Sequence, residues 1–151
     1  MRSLLLALLA MGTMACSATT SRTLPRAALL GREHEPTPTA QGRGVVAFAA
    51  AQVGHRYCWG GSGPSCFDCS GLVQRAWASA GVRLPRTSSA MGASLVDVPL
   101  DEVRAGDVLW WPGHVAIYAG RGWEIEALDS NHGVVVRAAA SPYRALRPGG
   151  S

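Results

Sequence analysis

A cysteine lies where a glycine-rich loop gives way to a helical pattern. The loop covers residues 57–65, and the chain then reaches the turn Asp68-Cys69-Ser70-Gly71. The apolar spacing of one buried helix face follows at once, at Leu72, Val73, Ala76, Trp77 and Ala80. Asp68 is a good N-cap, so Cys69 falls in the first helical turn. Free backbone N–H groups and the positive end of the helix dipole stabilise a thiolate there, and the position therefore suits a nucleophile.

A cysteine nucleophile needs a base that takes its proton and a third group that holds the base. Of the histidines, His34 lies in a polar segment and His55 in the loop before the nucleophile. His114 instead begins a strand just after Gly113, where its side chain can face a cleft. We therefore predict His114 as the base, with the backbone N–H of Cys69 as an oxyanion donor.

The hairpin that carries His114 also indicates the third group. A turn at residues 120–122 joins two strands, and pairing of Tyr118 with Gly122 places His114 directly opposite Glu126. Directly opposed residues share a face of the sheet, so we predict that Glu126 orients His114. The alternative for Glu126 is a solvated strand carboxylate. Two residues further along are alternative orienters: Asn131 and His132.

The tryptophans are mainly candidates for the core: Trp59, Trp77, Trp110, Trp111 and Trp123. The same hairpin register places Trp123 and Ile125 on an apolar face of the sheet. Trp110 and Trp111 are consecutive on a strand and must face opposite ways. We expect Trp111 to line the cleft beside His114 and to contact substrate.

The segment before the domain has two parts. Residues 1–16 are typical of an export signal, with Arg2, a short apolar stretch and then small residues. The apolar stretch is too short to span a bilayer. Cys16 follows Ala15, so either lipid attachment at Cys16 or simple cleavage is expected, although Thr13 replaces the leucine of a lipoprotein signal. An ordinary N-terminal helix is the third alternative.

Cys66 and Cys69 form a Cys-x-x-Cys pair, a spacing found in redox and zinc sites. No second cysteine pair or His-x₃-His follows it, so we expect neither a metal ion nor a cofactor. In an exported protein, Cys58 and Cys66 suit a disulfide that closes a small loop just before Cys69. Two free thiols are the alternative.

The order of the predicted elements indicates an α+β fold. Residues 17–43 have the composition of a flexible linker, and the domain is placed at residues 44–147. Three helices are predicted first, near residues 45–54, 68–80 and 88–95, and period-two patterns then predict strands at 108–111, 114–119, 123–128 and 134–138. Helices followed by strands favour a helix with Cys69 at its start, packed on a small antiparallel sheet.

Composition narrows the function further. The chain has 151 residues, of which 48% are hydrophobic and 16% charged, as expected for one globular domain. The net charge is +4, and the basic residues are all arginines scattered singly along the chain. Nucleic-acid binding would need clustered charge, so it is not expected. A mildly basic surface suits an anionic cell envelope.

Several motifs together resemble the NlpC-type family of papain-like bacterial cell-wall endopeptidases. They occur in one order along the chain: Tyr57-x-Trp59-Gly60-Gly61, Phe67-Asp68-Cys69-Ser70-Gly71-Leu72-Val73, Arg86-Thr87-Ser88, Gly106-Asp107-Val108 and His114-Val115-Ala116-Ile117-Tyr118. The resemblance covers about residues 44–147 and implies the papain-like α+β fold. It also implies hydrolysis of peptidoglycan stem peptides, often between D-glutamate and a diamino acid, through an acyl-enzyme.

The resemblance implies roles for named residues. Cys69 would be the nucleophile, His114 the base and Glu126 the orienter, although family members more often have histidine at that last position. Tyr57 would lie beside the thiolate or the scissile carbonyl. A further set would support the site and line the pocket for the peptide's free amino end: Asp68, Ser70 and Ser88. The residue types alone explain Asp68 and Ser88 equally well as helix caps.

The expected partner is peptidoglycan or its peptide fragments. We expect a monomer in the periplasm or cell envelope, which would contact the membrane only through a lipid on Cys16. Two other functions compete: a non-catalytic envelope-binding module, and an amidase or acyltransferase with a related Cys-His site. Retention of both Cys69 and His114 argues against the first. The lack of an obvious apolar surface for acyl chains argues against an acyltransferase.

Overall fold

The computed structural model describes residues 35–149, so the predicted export signal and Cys16 lie outside the described residues. Helix α1 spans Ala40–Ala50, α2 spans Cys69–Ser79 and α3 spans Ser88–Ser94. Eight strands complete the fold: β1 (Arg56–Tyr57), β2 (Cys66–Phe67), β3 (Val96–Val98), β4 (Val108–Trp111), β5 (His114–Gly120), β6 (Trp123–Ala127), β7 (Val134–Ala138) and β8 (Arg144–Arg147).

Six of these strands form one antiparallel sheet, in the order β3-β8-β4-β5-β6-β7. Strands β1 and β2 form a separate parallel pair beside the loop before α2. The alternating side chains of β4 and β5 contribute to two buried clusters. One contains Val115 and Ile117 together with α1 and α2 residues, and the other contains Leu109 and Ala116. The helices therefore pack on one face of the sheet, as predicted for the α+β class.

Helix α1 begins earlier than expected. Thr39 is its N-cap, and the Thr39 hydroxyl accepts a hydrogen bond from the N–H of Gly42 at 3.0 Å. Four residues assigned to the flexible linker, 40–43, are therefore helical. The helix ends at Ala50 rather than near Gly54, and Val53 is 45% exposed instead of buried. A capping threonine thus decides the boundary more than the composition of the segment does.

The predicted register of the β5–β6 hairpin is wrong by two residues. Tyr118 pairs with Glu124 rather than with Gly122, and the register shifts between Tyr118 and Gly120. Such an irregularity adds a residue to one strand of the pair. Continuing the observed register places Glu126 opposite Ala116 instead of His114. Because a shift of two residues keeps every side chain on its own face, the two side chains still face the same side.

Two tryptophans predicted for the core lie at the surface. Trp59 in the glycine-rich loop is 91% exposed, and Trp123 at the start of β6 is 51% exposed. Trp123 pairs with Gly120, which has no side chain to pack against it. Trp77 is buried, at 6% exposure, and Trp110 and Trp111 are partly buried. The residue type alone therefore does not show which tryptophans are buried in the core.

Candidate active site

The first turn of α2 carries the predicted nucleophile. Asp68 is the N-cap of this helix, as predicted, and Cys69 is its first residue. Cys69 is 8% exposed and is the free cysteine among the described residues. Its sulfur thus lies near the unpaired N–H groups of a helix start, where the dipole favours negative charge.

Asp68 accepts hydrogen bonds from outside α2 as well as from within it. Its two carboxylate oxygens accept five hydrogen bonds, from Gly71 N at 2.6 Å, Ser70 Oγ at 3.2 Å, Gly60 N at 2.9 Å and the two terminal nitrogens of Arg86 at 3.0 and 2.7 Å. Burial raises the pKa of Asp68, but hydrogen bonds from Arg86 and Gly71 outweigh it and hold the pKa below its ordinary value. Asp68 is therefore an ionised clamp between the loop and α2.

The loop approaches α2 so closely that Gly71 has no room for a side chain. A Cβ atom on Gly71 would lie 2.0 Å from the carbonyl oxygen of Gly61. That same oxygen accepts hydrogen bonds from the N–H of Asp68 at 2.9 Å and from Arg86 at 3.2 Å. The glycine of the Asp-Cys-Ser-Gly turn therefore permits the contact that fixes the start of the helix.

The predicted base, His114, and the predicted orienter, Glu126, are in direct contact. Nε2 of His114 lies 2.5 Å from Oε2 of Glu126, whose side chain is fully buried. Burial lowers the pKa of His114, but hydrogen bonds with Cys69 and Glu126 outweigh it and raise the pKa to about 9. Burial raises the pKa of Glu126, but His114 and then Arg137 hold it below its ordinary value. The imidazolium and the Glu126 carboxylate are therefore the forms present at neutral pH.

Glu126 has a second partner that the sequence analysis did not identify. Nε of Arg137 on β7 donates to Oε1 of Glu126 and also lies 3.0 Å from Oε1 of Glu124. Glu124 pairs directly with Arg137 across the two strands and is fully buried. Successive side chains of β6 point to opposite faces of the sheet, so Glu124 and Glu126 lie on the same face. This alternation is the feature of the sequence that indicates a pair of carboxylates. Arg137 was not detectable because the β6–β7 register was not predicted.

Two aromatic residues lie near Cys69 and His114. Trp111 pairs with His114 across β4 and β5, and their ring centroids are 5.9 Å apart. Burial raises the pKa of Tyr57, and electrostatic interactions with Cys69 and Asp68 raise it further, so the phenol lies within electrostatic range of the predicted nucleophile. The structure thus brings Tyr57 and Trp111 to the site. Their contacts with substrate stay predictions.

The surroundings of Ser70 and Ser88 differ from those predicted. Ser70 is hydrogen-bonded within the Asp68 cluster, and Ser88 is not the cap of its helix. The Ser70 hydroxyl donates to Asp68 and accepts from Arg86 at 3.0 Å, so it belongs to the clamp. The predicted cap Ser88 is the first residue of α3, and Thr87 is the N-cap instead, accepting from Ala90 N at 3.2 Å. Binding of a peptide amino group by Asp68, Ser70 and Ser88 stays a prediction.

The alternative orienters have Asp129 as their hydrogen-bond partner. Asn131 and His132 occupy an exposed turn before β7, where Nδ1 of His132 lies 2.8 Å from Oδ1 of Asp129. Cys58 and Cys66 are joined by a disulfide, with their Cα atoms 5.7 Å apart. Within residues 35–149, no group of three or more His, Cys, Asp or Glu side chains is arranged to hold a metal ion. The helices of that same range are too short or too polar to cross a membrane.

The fold and this arrangement define a papain-like domain: a cysteine at a helix start, and a histidine and a carboxylate on an antiparallel sheet. The sequence profile of the NlpC/P60 family matches residues 54–147. The chain belongs to this family.

Relatives and solved structures agree with that assignment. A probable endopeptidase of Corynebacterium glutamicum (strain R) is 40% identical over 103 residues, which are 66% of this chain and 49% of that protein. The crystal structure of the NlpC/p60 domain of the peptidoglycan hydrolase SagA has a TM-score of 0.65 and 32% identity, covering 70% of this chain and 97% of that one.

A third similar protein differs in its described activity. The structure of RipD from Mycobacterium tuberculosis has a TM-score of 0.62 and 29% identity, covering 72% of this chain and 98% of that one. RipD is described as a non-catalytic NlpC/p60 domain protein adapted to peptidoglycan binding. Family membership and fold therefore leave the activity to be argued from the site itself.

Proposed function

We propose that this protein is a cysteine endopeptidase that cleaves peptide bonds in peptidoglycan stem peptides. The observation that supports this best is that Cys69 lies at the start of α2, within electrostatic range of His114, while Nε2 of His114 lies 2.5 Å from the buried Glu126 carboxylate. A raised pKa on His114 keeps the proton on the imidazole at neutral pH, where it can be given to the leaving amine. The names of the relatives support an endopeptidase, and SagA supports peptidoglycan as the substrate class.

The residues account for each step of peptide hydrolysis. The Cys69 thiolate attacks the scissile carbonyl carbon, and the backbone N–H of Cys69 donates to the resulting oxyanion. The His114 imidazolium then gives its proton to the leaving amine as the C–N bond breaks. A water molecule next loses a proton to His114 and attacks the thioester, which releases the acid and restores the thiolate.

The proposal extends to the bond and to the location. By the family resemblance, the bond lies between D-glutamate and a diamino acid, and the protein is exported to the cell envelope. Cys16 either carries a lipid there or is removed with the signal, and the mass of the mature protein distinguishes these forms. The RipD description supports one alternative, a peptidoglycan-binding module without activity.

Digestion of purified peptidoglycan tests the proposal. We expect mass spectrometry to find new stem-peptide fragments with the wild-type protein and none with Cys69→Ala, because the alanine removes the nucleophile and little else. Circular dichroism should show the same fold for both proteins. Equal fragment release by the two proteins would exclude Cys69 as nucleophile. Sedimentation with peptidoglycan but no fragments from either would favour the binding module.

A further inference from the structure

Behind His114 lies a second buried carboxylate that the proposed reaction does not need. Glu124, like Glu126, has no exposed surface (0%). The Nε–H of Arg137 is directed to Glu126, and Oε1 of Glu124 accepts no hydrogen bond from any residue in the described range. Among residues 35–149, its other oxygen accepts one long hydrogen bond, 3.3 Å, from the N–H of Ala140. Two buried carboxylates therefore share one arginine that is 43% exposed.

Such a pair does not readily hold two negative charges. Like charges in a buried site push one carboxyl group toward its protonated form. Burial, and then the charge of Glu126, raise the pKa of Glu124 to about 7. Glu126 stays ionised because it accepts the hydrogen bonds from His114 and Arg137. The proton of the pair thus resides on Glu124, which has the poorer hydrogen bonds.

We propose that Glu124 is a positioning residue of the site, which sets how firmly His114 holds its proton by gaining or losing a proton of its own beside Arg137 and Glu126. When Glu124 is neutral, Arg137 forms an ion pair with Glu126 alone. An ionised Glu124 adds a negative charge to the same buried cluster and favours the imidazolium form of His114. The active form of the Cys69–His114 pair then persists to higher pH. This inference rests on the proposed function only for its effect on turnover.

The neighbours of Glu124 come from both adjacent strands. The titratable and charged groups that face it are Tyr118 and His114 on β5, Glu126 on β6 and Arg137 on β7. Tyr118 and Arg137 lie directly opposite Glu124, whereas His114 acts on it through charge alone. A substitution that keeps the shape of Glu124 and removes its charge therefore isolates the effect of that charge on His114.

The test uses NMR titration of the His114 ring in Cys69→Ala protein, with and without Glu124→Gln. Cys69→Ala removes the sulfur and makes the measurement independent of catalysis. We expect the pKa of His114 to fall in the double variant by a few tenths of a unit to about one unit, as for one charge acting through an effective dielectric of about 20. Asp101→Asn, which removes an exposed carboxylate, is the matched control and should leave the His114 titration unchanged.

Carboxyl ¹³C titration of Glu124 in the single Cys69→Ala protein gives a second readout that needs no further substitution. We expect Glu124 to titrate near neutral pH and Glu126 well below it. A Glu124 that titrates at its ordinary value would overturn the proposal, even if Glu124→Gln failed to fold. An unchanged His114 titration in the folded double variant would overturn it too. If peptidoglycan cleavage fails in wild-type protein while both NMR results hold, only the proposed function is refuted.

Where activity is present, the pH profile of kcat/KM adds a kinetic readout. In Glu124→Gln protein we expect the alkaline limb to move to lower pH, because His114 loses its proton sooner. The acid limb should keep its position, since Glu124 is already neutral there and glutamine mimics that form. A purely structural role would lower the whole profile without moving one limb, and that outcome would count against the proposal.

Discussion

Two clusters of carboxylate and arginine side chains flank Cys69 and His114, and they are built differently. Beside Cys69, a single carboxylate, Asp68, meets a single arginine and accepts five hydrogen bonds. Behind His114, two carboxylates share Arg137, and one oxygen of Glu124 accepts no hydrogen bond from the described residues. The carboxylates of both clusters are buried. The clusters therefore differ mainly in how many hydrogen-bond partners each carboxylate has.

That difference decides which cluster responds to pH. Asp68 has a pKa below its ordinary value and stays ionised throughout the neutral range. It therefore acts as a fixed clamp that holds the loop against the start of α2. Glu124 has its pKa raised to about 7, so its charge changes within that range. One cluster fixes the position of the sulfur, and the other adjusts the charge around the imidazole.

Asp68→Ala should have the largest effect on stability. It removes the N-cap of α2 and leaves Arg86 without its carboxylate partner beside the Gly61 carbonyl. The lost cap costs about 1 kcal/mol, and the donors left without an acceptor cost about 1–3 kcal/mol more, together a large part of the total stability of a domain this size. Urea unfolding of the variant and the wild-type protein measures the difference.

Asp97→Ala is the matched control for that experiment. Asp97 also makes a two-pronged ion pair, with Arg144 at 2.6 and 2.8 Å, but its side chain is 65% exposed. Exposed pairs contribute about 1 kcal/mol or less. Similar losses in the two variants would show that Asp68 is an ordinary surface partner rather than a clamp.

Glu126→Gln should have the largest effect in the second cluster. The glutamine keeps the shape of Glu126 but cannot offer a charge to the His114 imidazolium. We expect kcat/KM on a peptidoglycan-derived peptide to fall about 10²-fold or more, the scale of one acid–base contribution. Unchanged turnover in this variant, or in Glu126→Ala, would remove Glu126 from the catalytic group.

The two halves of the site differ in how far the sequence predicts them. Cys69 and Asp68 were identifiable because a helix start is a local signal, made of a cap followed by an apolar period. The contact between His114 and Glu126 was predicted from a wrong register. It held because the error was an even number of residues, which preserves the face of each side chain.

Other features depend on contacts that a single sequence does not encode locally. Arg86 reaches Asp68 from 18 residues away, and Arg137 reaches its carboxylates through a strand pairing whose register was unknown. Strands β3 and β8 have only three and four residues, and they pair with each other although β3 lies in the middle of the domain and β8 at its end. Their short patterns become recognisable only once the sheet has brought them together.

The second cluster should also change the slope of stability against pH. For Glu124, the folded pKa of about 7 exceeds its ordinary value of 4.5. Between these values the folded protein keeps a proton that the unfolded chain has lost. Stability from this group is therefore complete below pH 4.5 and is lost as pH rises toward 7. The slope for one such proton is at most about 1.4 kcal/mol per pH unit.

Urea unfolding at pH 5, 6 and 7 of Cys69→Ala protein, with and without Glu124→Gln, measures that slope. Both proteins carry Cys69→Ala, so the comparison between them isolates Glu124. His114, with its raised pKa, loses stability in the same direction, but mostly above its ordinary value of 6.5, and it remains in both proteins. We expect the Gln variant to lose less stability between pH 5 and 7. Parallel curves would mean that Glu124 is ionised throughout, and both clusters would then be fixed clamps.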